Sequence, residues 1–238
     1  MARKPRSLVV IPGWPHHFTT RGNNKRRVFS YPRDYLHFMR LVRSGVARAD
    51  IQVHGLALMA NHAHVIATPA AVGDGAEFMK HVSQVYAQVR NKSRETSGKL
   101  FEERYFCEPF RDLDHLGVAT AYVDANGVRA GLVASPELHR WTSAGIHMGE
   151  PNRSDVPLDV WTPSPWYQRL GSGPAERAGE YRKFMAAYLS RLPYEVPFPE
   201  VDAIEKQASG HYTKRIRRPD GSSAREPVAK KWTGRPKR

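Results

Sequence analysis

The 238-residue sequence carries a formal net charge of +14 at pH 7, because 37 lysines and arginines outnumber 23 aspartates and glutamates. Such an excess favours a polyanionic partner, with nucleic acid ahead of an anionic membrane surface. No apolar run approaches the roughly 20 residues that span a bilayer. The single cysteine, Cys107, excludes an internal disulfide and argues against a cysteine-rich zinc site. We expect a cytoplasmic, nucleoid-associated protein with no membrane partner.

Six elements are predicted over the first 110 residues, in the order strand, helix, strand, strand, helix, strand. Helical spacing of apolar residues marks the two helices, and a tight turn at Ala60-Asn61 joins two strands into a hairpin. The predicted ranges are 14–22, 31–49, 51–59, 62–68, 78–92 and 100–110. This order is typical of the split βαβ, or ferredoxin-like, arrangement. The sequence therefore predicts an α+β fold, an antiparallel sheet with helices on one face and with its first and third strands as central neighbours.

A seventh element, a helix, is predicted over residues 113–125. Asp112 is a plausible N-cap for this helix because its side chain can accept a hydrogen bond from the first turn. The dipeptide Asn126-Gly127 is expected to end it. With this helix the sequence predicts a first domain of residues 1–150.

The remaining residues change in composition. Five prolines fall within 24 residues after position 150, so residues 151–210 are predicted to be a proline-rich linker with a helical extension around 180–192. Residues 211–238 hold ten lysines and arginines against two acidic residues. Such a segment has too little apolar surface to form a core, and we predict a basic, disordered, DNA-binding tail.

Two histidines, His62 and His64, lie one residue apart in the predicted third strand. Side chains alternate along a strand, so both imidazoles point to the same face. Neutral imidazoles in this arrangement can bind a divalent metal if a third ligand joins them. The alternative is a pair of half-buried histidines that bond to the backbone. His17, on the neighbouring central strand, could be a further ligand or a partner that orients one of them.

The segment Leu58-Met59-Ala60-Asn61-His62-Ala63-His64-Val65-Ile66 resembles the His-hydrophobic-His motif of single-tyrosine transposases, and more narrowly of their REP-associated branch. The similarity is strong over residues 12–147 and loose beyond them. Its further segments, in chain order, are 17–24, 86–91, 98–105, 122–133, 141–143 and the basic end 234–237. The sequence departs from the family at Phe101, where a tryptophan is usual, and at Gly127, where a proline is usual.

The resemblance implies a metal-dependent endonuclease and strand-transferase that acts on single-stranded DNA at hairpin-forming sequences. Tyr86 would attack the scissile phosphate and form a 5′-phosphotyrosine link, while His62 and His64 would hold Mg or Mn. By itself, a tyrosine at the border of an apolar helix face is more often a core residue.

The third metal ligand is expected on the helix that carries Tyr86. A regular helix places Arg90 beside Tyr86, but a guanidinium cannot bind a metal, so Arg90 is predicted to contact phosphate. Asn91 is the predicted third ligand, with Gln88 as the weaker candidate.

The predicted partner is single-stranded or hairpin DNA, bound by a monomer or a homodimer. Basic and amide side chains in the loop after the first strand, on the second helix and near the chain end are expected to hold it. The predicted DNA-binding residues are Arg21, Asn23, Asn24, Lys25, Arg90, Arg104, Lys230, Lys231 and Arg235. The Gly234-Arg235-Pro236 core resembles an AT-hook, although a tail that binds phosphates without sequence preference is equally compatible with it.

Two other functions remain open from the sequence. A replication initiator or relaxase uses the same His-hydrophobic-His site, but such chains are usually longer. A non-catalytic nucleic-acid-binding module would use an open sheet face with aromatic side chains for stacking, whereas this sequence places His62 and His64 there.

Overall fold

A four-stranded antiparallel sheet organises the computed structural model, which describes residues 9–191, 213–217 and 223–227. Its spatial order is β2-β3-β1-β4. The strands are β1 (His16–Arg21), β2 (Ile51–Met59), β3 (His62–Pro69) and β4 (Phe106–Pro109). The predicted ferredoxin-like arrangement, with the first and third strands paired at the centre, is therefore confirmed.

Two long helices cover one face of the sheet, α1 (Pro32–Val46) and α2 (Asp74–Ser93). Phe18, Leu56 and Val65 point to this face, since the strand register places Phe18 opposite Val65 and Val65 opposite Leu56. All three are buried in the main apolar cluster together with side chains from both helices. This helical face holds the hydrophobic core.

The opposite face carries the histidines and packs against α3 (Leu113–Asp124), which follows β4. Alternation sends His17 and His64 to this side, and the ring of Tyr122 on α3 lies against His64 with a centroid separation of 5.8 Å. The predicted cap at Asp112 is confirmed, because its side chain accepts a hydrogen bond of 2.7 Å from the backbone N–H of His115. The helix ends at Asp124, next to the predicted end at residue 125. Asn126-Gly127 does not form a loop, since it begins a further short helix, α4 (Asn126–Arg129).

The fourth strand is shorter than predicted. Phe101 makes only a single bridge, with Gly22, and the backbone N–H of Glu102 bonds to Arg21. The chain rejoins the sheet at Phe106. The predicted strand over residues 100–110 is thus an isolated bridge followed by a four-residue strand.

Residues 148–188 follow the stretch with strong similarity to the family, and they belong to the same compact unit as the sheet. This unit spans Met1–Tyr188. Val156 and Val160 are buried in the main apolar cluster, and Trp161 packs against it. The helices here are α5 (Ala144–His147), α6 (Pro165–Gln168) and α7 (Pro174–Leu189). The structure places the proline-rich segment inside this unit, and not in a separate linker, because its prolines form turns between buried apolar residues.

A second unit, Leu189–Arg238, contains two described strands, β5 (Thr213–Arg217) and β6 (Ser223–Pro227), which pair antiparallel. The prediction of a disordered tail is therefore wrong for these two stretches. Lys230, Lys231 and Arg235 lie outside the described residues. No helix within the described residues is long and apolar enough to cross a membrane.

Gly117 allows α3 to approach α6, and its substitution should destabilise the fold. A Cβ at this position would meet the Trp166 ring at 2.3 Å, so Gly117→Ala is expected to lower the free energy of unfolding by about 1–3 kcal/mol through overpacking. The matched control is Gly179→Ala on α7, where nothing lies within 4 Å of the added methyl group. Denaturant unfolding of both variants measures the difference, and equal stability would contradict the packing argument.

Candidate active site

The two histidines of β3 lie side by side on the face that α3 covers. Their ring centroids are 4.8 Å apart and their planes nearly perpendicular, at 87°. His62 donates from Nδ1 to the side-chain oxygen of Asn61 at 2.7 Å, and His64 Nδ1 lies 2.9 Å from His17 Nε2. The Nε2 atoms of His62 and His64 are buried and have no hydrogen-bond partner. Two neighbouring imidazoles thus each have a buried Nε2 atom without a hydrogen-bond partner.

Both imidazoles are neutral at physiological pH. Burial lowers the pKa of His62 to about 3, with the Arg21 guanidinium as the next cause. Burial, and then the proximity of His62, hold the pKa of His64 well below its ordinary value. A neutral imidazole that donates through Nδ1 has its lone pair on Nε2. The unpartnered Nε2 atoms are therefore able to bind a metal ion.

His17 is the hydrogen-bond partner of His64 on the neighbouring strand. The two rings stack with centroids 5.0 Å apart, and the Thr19 hydroxyl lies 3.2 Å from His17 Nε2. If His64 Nδ1–H donates to His17 Nε2, the lone pair of His64 is left on its own Nε2. Of the two roles predicted for His17, the geometry favours the orienting partner, which fixes the tautomer of a ligand.

A cation lies beside the histidines on β1. Arg21 is opposite His62 in the strand register, so both side chains belong to the same face. The Nε and Nη2 atoms of Arg21 are buried and have no hydrogen-bond partner. A guanidinium with two unused donors is suited to a phosphate oxygen. The structure thus brings the predicted DNA-binding residue Arg21 to the histidine pair.

Tyr86 lies on the other side of the sheet, and the prediction that α2 places it beside the histidines is wrong. Its ring is 1% exposed within the apolar cluster, in contact with Phe29 and Phe38. Its hydroxyl donates to the Val28 carbonyl at 3.0 Å, and burial raises its pKa above the ordinary value. The core alternative describes Tyr86 correctly.

The other candidates on α2 share this location. Asn91 donates from its amide to the Gly98 carbonyl at 2.9 Å and so holds the loop after the helix. Arg90 bonds to the carbonyl oxygens of Val28 and Arg27, at 2.9 Å and 2.8 Å. Gln88 is exposed. None of the three reaches the histidine face, because α2 packs on the opposite side of the sheet.

The predicted DNA-binding loop lies next to His62. The backbone N–H of Gly22 bonds to the Asn61 carbonyl at 2.8 Å, which joins the loop to the turn that precedes β3. Asn23–Lys25 form a 3-10 turn in which Asn24 and Lys25 have positive φ angles, 51° and 59°. Asn24, Lys25 and, on the β4 side, Arg104 are exposed. The loop thus presents polar and basic groups at the edge of the site.

The tyrosine at the histidines is Tyr122, on α3. It is 2% exposed, about as buried as Tyr86, so its position relative to the sheet distinguishes the two. Its ring meets His64 edge-on, at 84°, and the Arg129 guanidinium lies 5.1 Å from its ring centroid. One turn further on, Asn126 donates from its amide to the Tyr122 carbonyl at 3.0 Å. Neither Tyr122 nor Asn126 was predicted from the sequence as a site residue.

A signal for these two residues was present in the sequence. In a helical stretch of sequence, a polar residue four positions after a tyrosine lies on the same side and could act as a metal ligand beside it. Tyr86 has Arg90 at that position, which cannot bind a metal, whereas Tyr122 has Asn126. The segment 122–133 already carried part of the family resemblance.

The site can hold a metal ion only with help from an amide or from water. Within residues 9–191 and the two described strands of the second unit, no three His, Cys, Asp or Glu side chains are grouped to bind one. Two imidazoles with an amide oxygen are compatible with Mn and similar divalent ions, and Mg would need further oxygen ligands. His62 and His64 fit such an ion through their unpartnered Nε2 atoms.

Comparisons with known proteins bear on the family and the fold of this chain. Residues 13–126 match the family described as IS200-like transposases. The fold also resembles the solved structure of a REP-associated tyrosine transposase bound to a REP hairpin, with a TM-score of 0.54 and 13% identity, over 69% of this chain and 93% of that one. No curated protein matches the sequence. The resemblance predicted from the motifs is confirmed.

Acid should destabilise the protein through its buried neutral histidines. Burial lowers the pKa of His62 and His17 to about 3 and that of His54 and His139 to about 4. Between those values and 6.5 the unfolded chain binds protons that the folded chain does not. The stability is therefore complete above about pH 6.5 and falls below it, by up to about 1.4 kcal/mol per pH unit for each histidine.

Thermal melts without added metal, between about pH 7.5 and about pH 5, measure this effect before most carboxylates titrate. The Tm is expected to fall steadily as the pH decreases. A Tm that stays constant or rises over this range would show that these imidazoles are not held neutral.

Proposed function

From the match of residues 13–126 to the IS200-like transposases, we propose that this chain is a single-tyrosine DNA transposase. In this proposal it cleaves and rejoins single-stranded DNA at hairpin-forming sequences. The observation that carries the proposal is the contact of Tyr122 with His64, on the sheet face where two buried imidazole nitrogens have no partner. The hairpin bound by the structural neighbour supports hairpin DNA as the substrate.

Tyr122 is the proposed nucleophile. Its phenol oxygen attacks the scissile phosphorus, the bond from phosphorus to the 3′ oxygen breaks, and a 5′-phosphotyrosine link forms. The phenol gives up its proton, and the departing 3′ oxygen takes one up and becomes a free hydroxyl. A later attack by a 3′-hydroxyl on the phosphotyrosine reverses these bond changes and releases Tyr122. Cleavage and strand transfer are thus the same reaction in two directions.

His62, His64 and Asn126 are the proposed residues that hold a divalent ion, Mg or Mn. Asn126 uses its amide nitrogen in bonds to the Tyr122 and Val123 carbonyls, so its oxygen is the end that remains for a ligand. When bound, the ion supplies positive charge at the phosphate and at the leaving oxygen. Arg21 orients the phosphate from β1 with its two unused donors, and His17 keeps His64 in the required tautomer.

The DNA on either side of the scissile phosphate is proposed to follow the basic loop next to His62. Asn23, Asn24 and Lys25 face it from the 3-10 turn, with Arg104 on the β4 side. The charged chain end, with Lys230, Lys231 and Arg235, remains a proposed phosphate-binding segment because its charge suits a polyanion. Arg90 is not part of this proposal, since its donors already bond to backbone carbonyls.

A stacking-type binding module has less support than an enzyme. Such a module needs an accessible sheet face with aromatic side chains, whereas here His17 is 2% exposed and His64 is fully buried beneath α3. An initiator or relaxase would use the same chemistry, and the family match favours the transposase over either of them.

Tyr122→Phe should abolish the covalent protein–DNA adduct, and Tyr86→Phe should not. The two substitutions are matched, because each removes one oxygen from a tyrosine that is at most 2% exposed. Tyr86→Phe loses only the bond to the Val28 carbonyl and should cost about 0.5–1.5 kcal/mol of stability. Labelled hairpin DNA with Mn or Mg, followed by denaturing gel electrophoresis, detects the adduct. An adduct at the wild-type rate in Tyr122→Phe would contradict the assignment.

His62→Ala and His64→Ala should suppress both Mn binding and adduct formation while DNA affinity is preserved. The adduct rate is expected to fall more than about 100-fold, since loss of even a residue that only orients a ligand costs about 10–100-fold. Calorimetric titration with Mn in the absence of DNA gives a readout independent of activity. His81→Ala is the control, because His81 bonds to Ser44 between α1 and α2, away from the site. Full activity in excess chelator would contradict the metal site.

A further inference from the structure

A fully buried carboxylate lies at the C-terminal end of α3, the helix that carries Tyr122. Asp124 is 0% exposed and accepts three hydrogen bonds, from His147 Nδ1 at 2.6 Å, from the Tyr181 hydroxyl at 2.7 Å and from the Ser143 hydroxyl at 2.8 Å. These donors come from three later parts of the chain, the residue before α5, α5 itself and α7. We call these four residues the Asp124 cluster.

The Asp124 cluster joins α3 to the sheet by a short route. The Ser143 hydroxyl also accepts a hydrogen bond from the Leu56 backbone N–H at 3.0 Å, and the Ser143 N–H donates to the Leu56 carbonyl at 2.9 Å. Leu56 is next to Ala57, which pairs with His64 in the sheet. A chain of hydrogen bonds thus leads from the strand pair that carries His64 to the C-terminal end of α3.

Tyr122 and Asp124 face different sides of α3. Two residues turn an α-helix by about 200°, which agrees with the contacts of Tyr122 with His64 and of Asp124 with the later helices. The helix is therefore held on two sides. On one side the Tyr122 ring contacts His64, and on the other the Asp124 carboxylate accepts three hydrogen bonds that fix the helix end.

We infer that Asp124 is a positioning residue for the reaction of Tyr122. Its carboxylate attaches α3 to β2 through Ser143 and to the C-terminal helices through His147 and Tyr181, and so sets where Tyr122 lies relative to His64. The inference rests on the proposed function in one respect, that Tyr122 is the nucleophile. Asp124 itself is fully buried, and its hydrogen bonds go to Ser143, His147 and Tyr181 and not to His62 or His64.

The chemistry of the cluster explains why a carboxylate is needed. Three donors converge on its two oxygens, and an ionised carboxylate only accepts hydrogen bonds. An asparagine of the same shape would turn an N–H₂ group toward at least one of these donors. The mismatch lies inside a region without solvent, where an unsatisfied polar group is costly. The helix end is expected to shift in order to relieve it.

The test compares Asp124→Asn with Met185→Ala in the full-length protein. Met185 is 0% exposed on α7, the helix of Tyr181, and takes no part in the cluster. Both variants lose stability, but only the first disturbs the attachment of α3. Well below both Tm values, Asp124→Asn should slow single-turnover adduct formation by about 10–100-fold, with the Kd for hairpin DNA unchanged within about twofold. Amide hydrogen exchange should accelerate in α3 and not in α1.

Met185→Ala should keep the wild-type adduct rate despite its lower Tm. Tyr181→Phe removes one donor and leaves the carboxylate in place, and it should give a smaller loss of rate in the same direction. If Asp124→Asn does not fold, Tyr181→Phe becomes the test. A slower adduct rate together with faster hydrogen exchange in α3 supports the positioning role, and wild-type values of both overturn it.

Equal rates in Asp124→Asn and the wild type, or equal losses in Asp124→Asn and Met185→Ala, would overturn the positioning role. Either result leaves the proposed function intact if Tyr122→Phe still abolishes the adduct. A wild-type adduct rate in Tyr122→Phe would overturn both. The two failures are therefore distinguishable in one set of measurements.

Discussion

Side-chain alternation along the two central strands is the constraint on which the other features depend. Phe18 and Val65 point into the apolar core, and their neighbours His17 and His64 point to the opposite face. Because β1 and β3 pair with each other, two imidazoles and a hydroxyl from adjacent strands meet at the centre of the sheet. The sheet thus separates an apolar layer that stabilises the fold from a polar layer that can perform chemistry.

Burial of the polar layer determines its chemical state. Imidazoles that are kept from water remain neutral and leave their Nε2 atoms available, and the Arg21 guanidinium beside them supplies the positive charge. The layer is closed by α3, which brings Tyr122 to His64. The position of Tyr122 relative to His64 therefore depends on how α3 is attached. Part of that attachment comes from Trp166 and Tyr181, which lie beyond residues 12–147.

The strands and helices could be predicted from the periodicity of the sequence, but the side of the sheet that each helix covers could not. The strand order follows from the order of the elements along the chain, and the shared face of His62 and His64 follows from side-chain alternation. Nothing in the spacing of Phe78, Val82 and Tyr86 shows which side of the sheet their helix covers, so Tyr86 was placed with the histidines when it lies in the core. The side of the sheet that each helix covers is decided by the tertiary contacts of α2 and α3 with the strands, and the spacing of residues within a helix does not reveal those contacts.

Proline content misled the prediction for a related reason. The prolines after residue 150 indicate turns, and whether turns belong to a linker or to a packed segment depends on the apolar residues between them. Val156 and Val160 are buried in the main cluster, and the Thr162 N–H bonds to the Val53 carbonyl at 2.7 Å. In physical terms the segment is held by a few well-buried side chains, which a composition average does not register.

The covering of β2 bears on solubility. This nine-residue strand lies at the sheet edge, where open N–H and C=O groups invite pairing with another chain. Backbone groups of Trp141, Ser143 and Thr162 occupy that edge, while the other edge strand, β4, has only four residues and ends at Pro109. A chain shortened to residues 13–126 would lose this cover and present a long, apolar strand edge to its neighbours. Residues 141–162 therefore cover a strand edge that would otherwise be open to pairing with another chain.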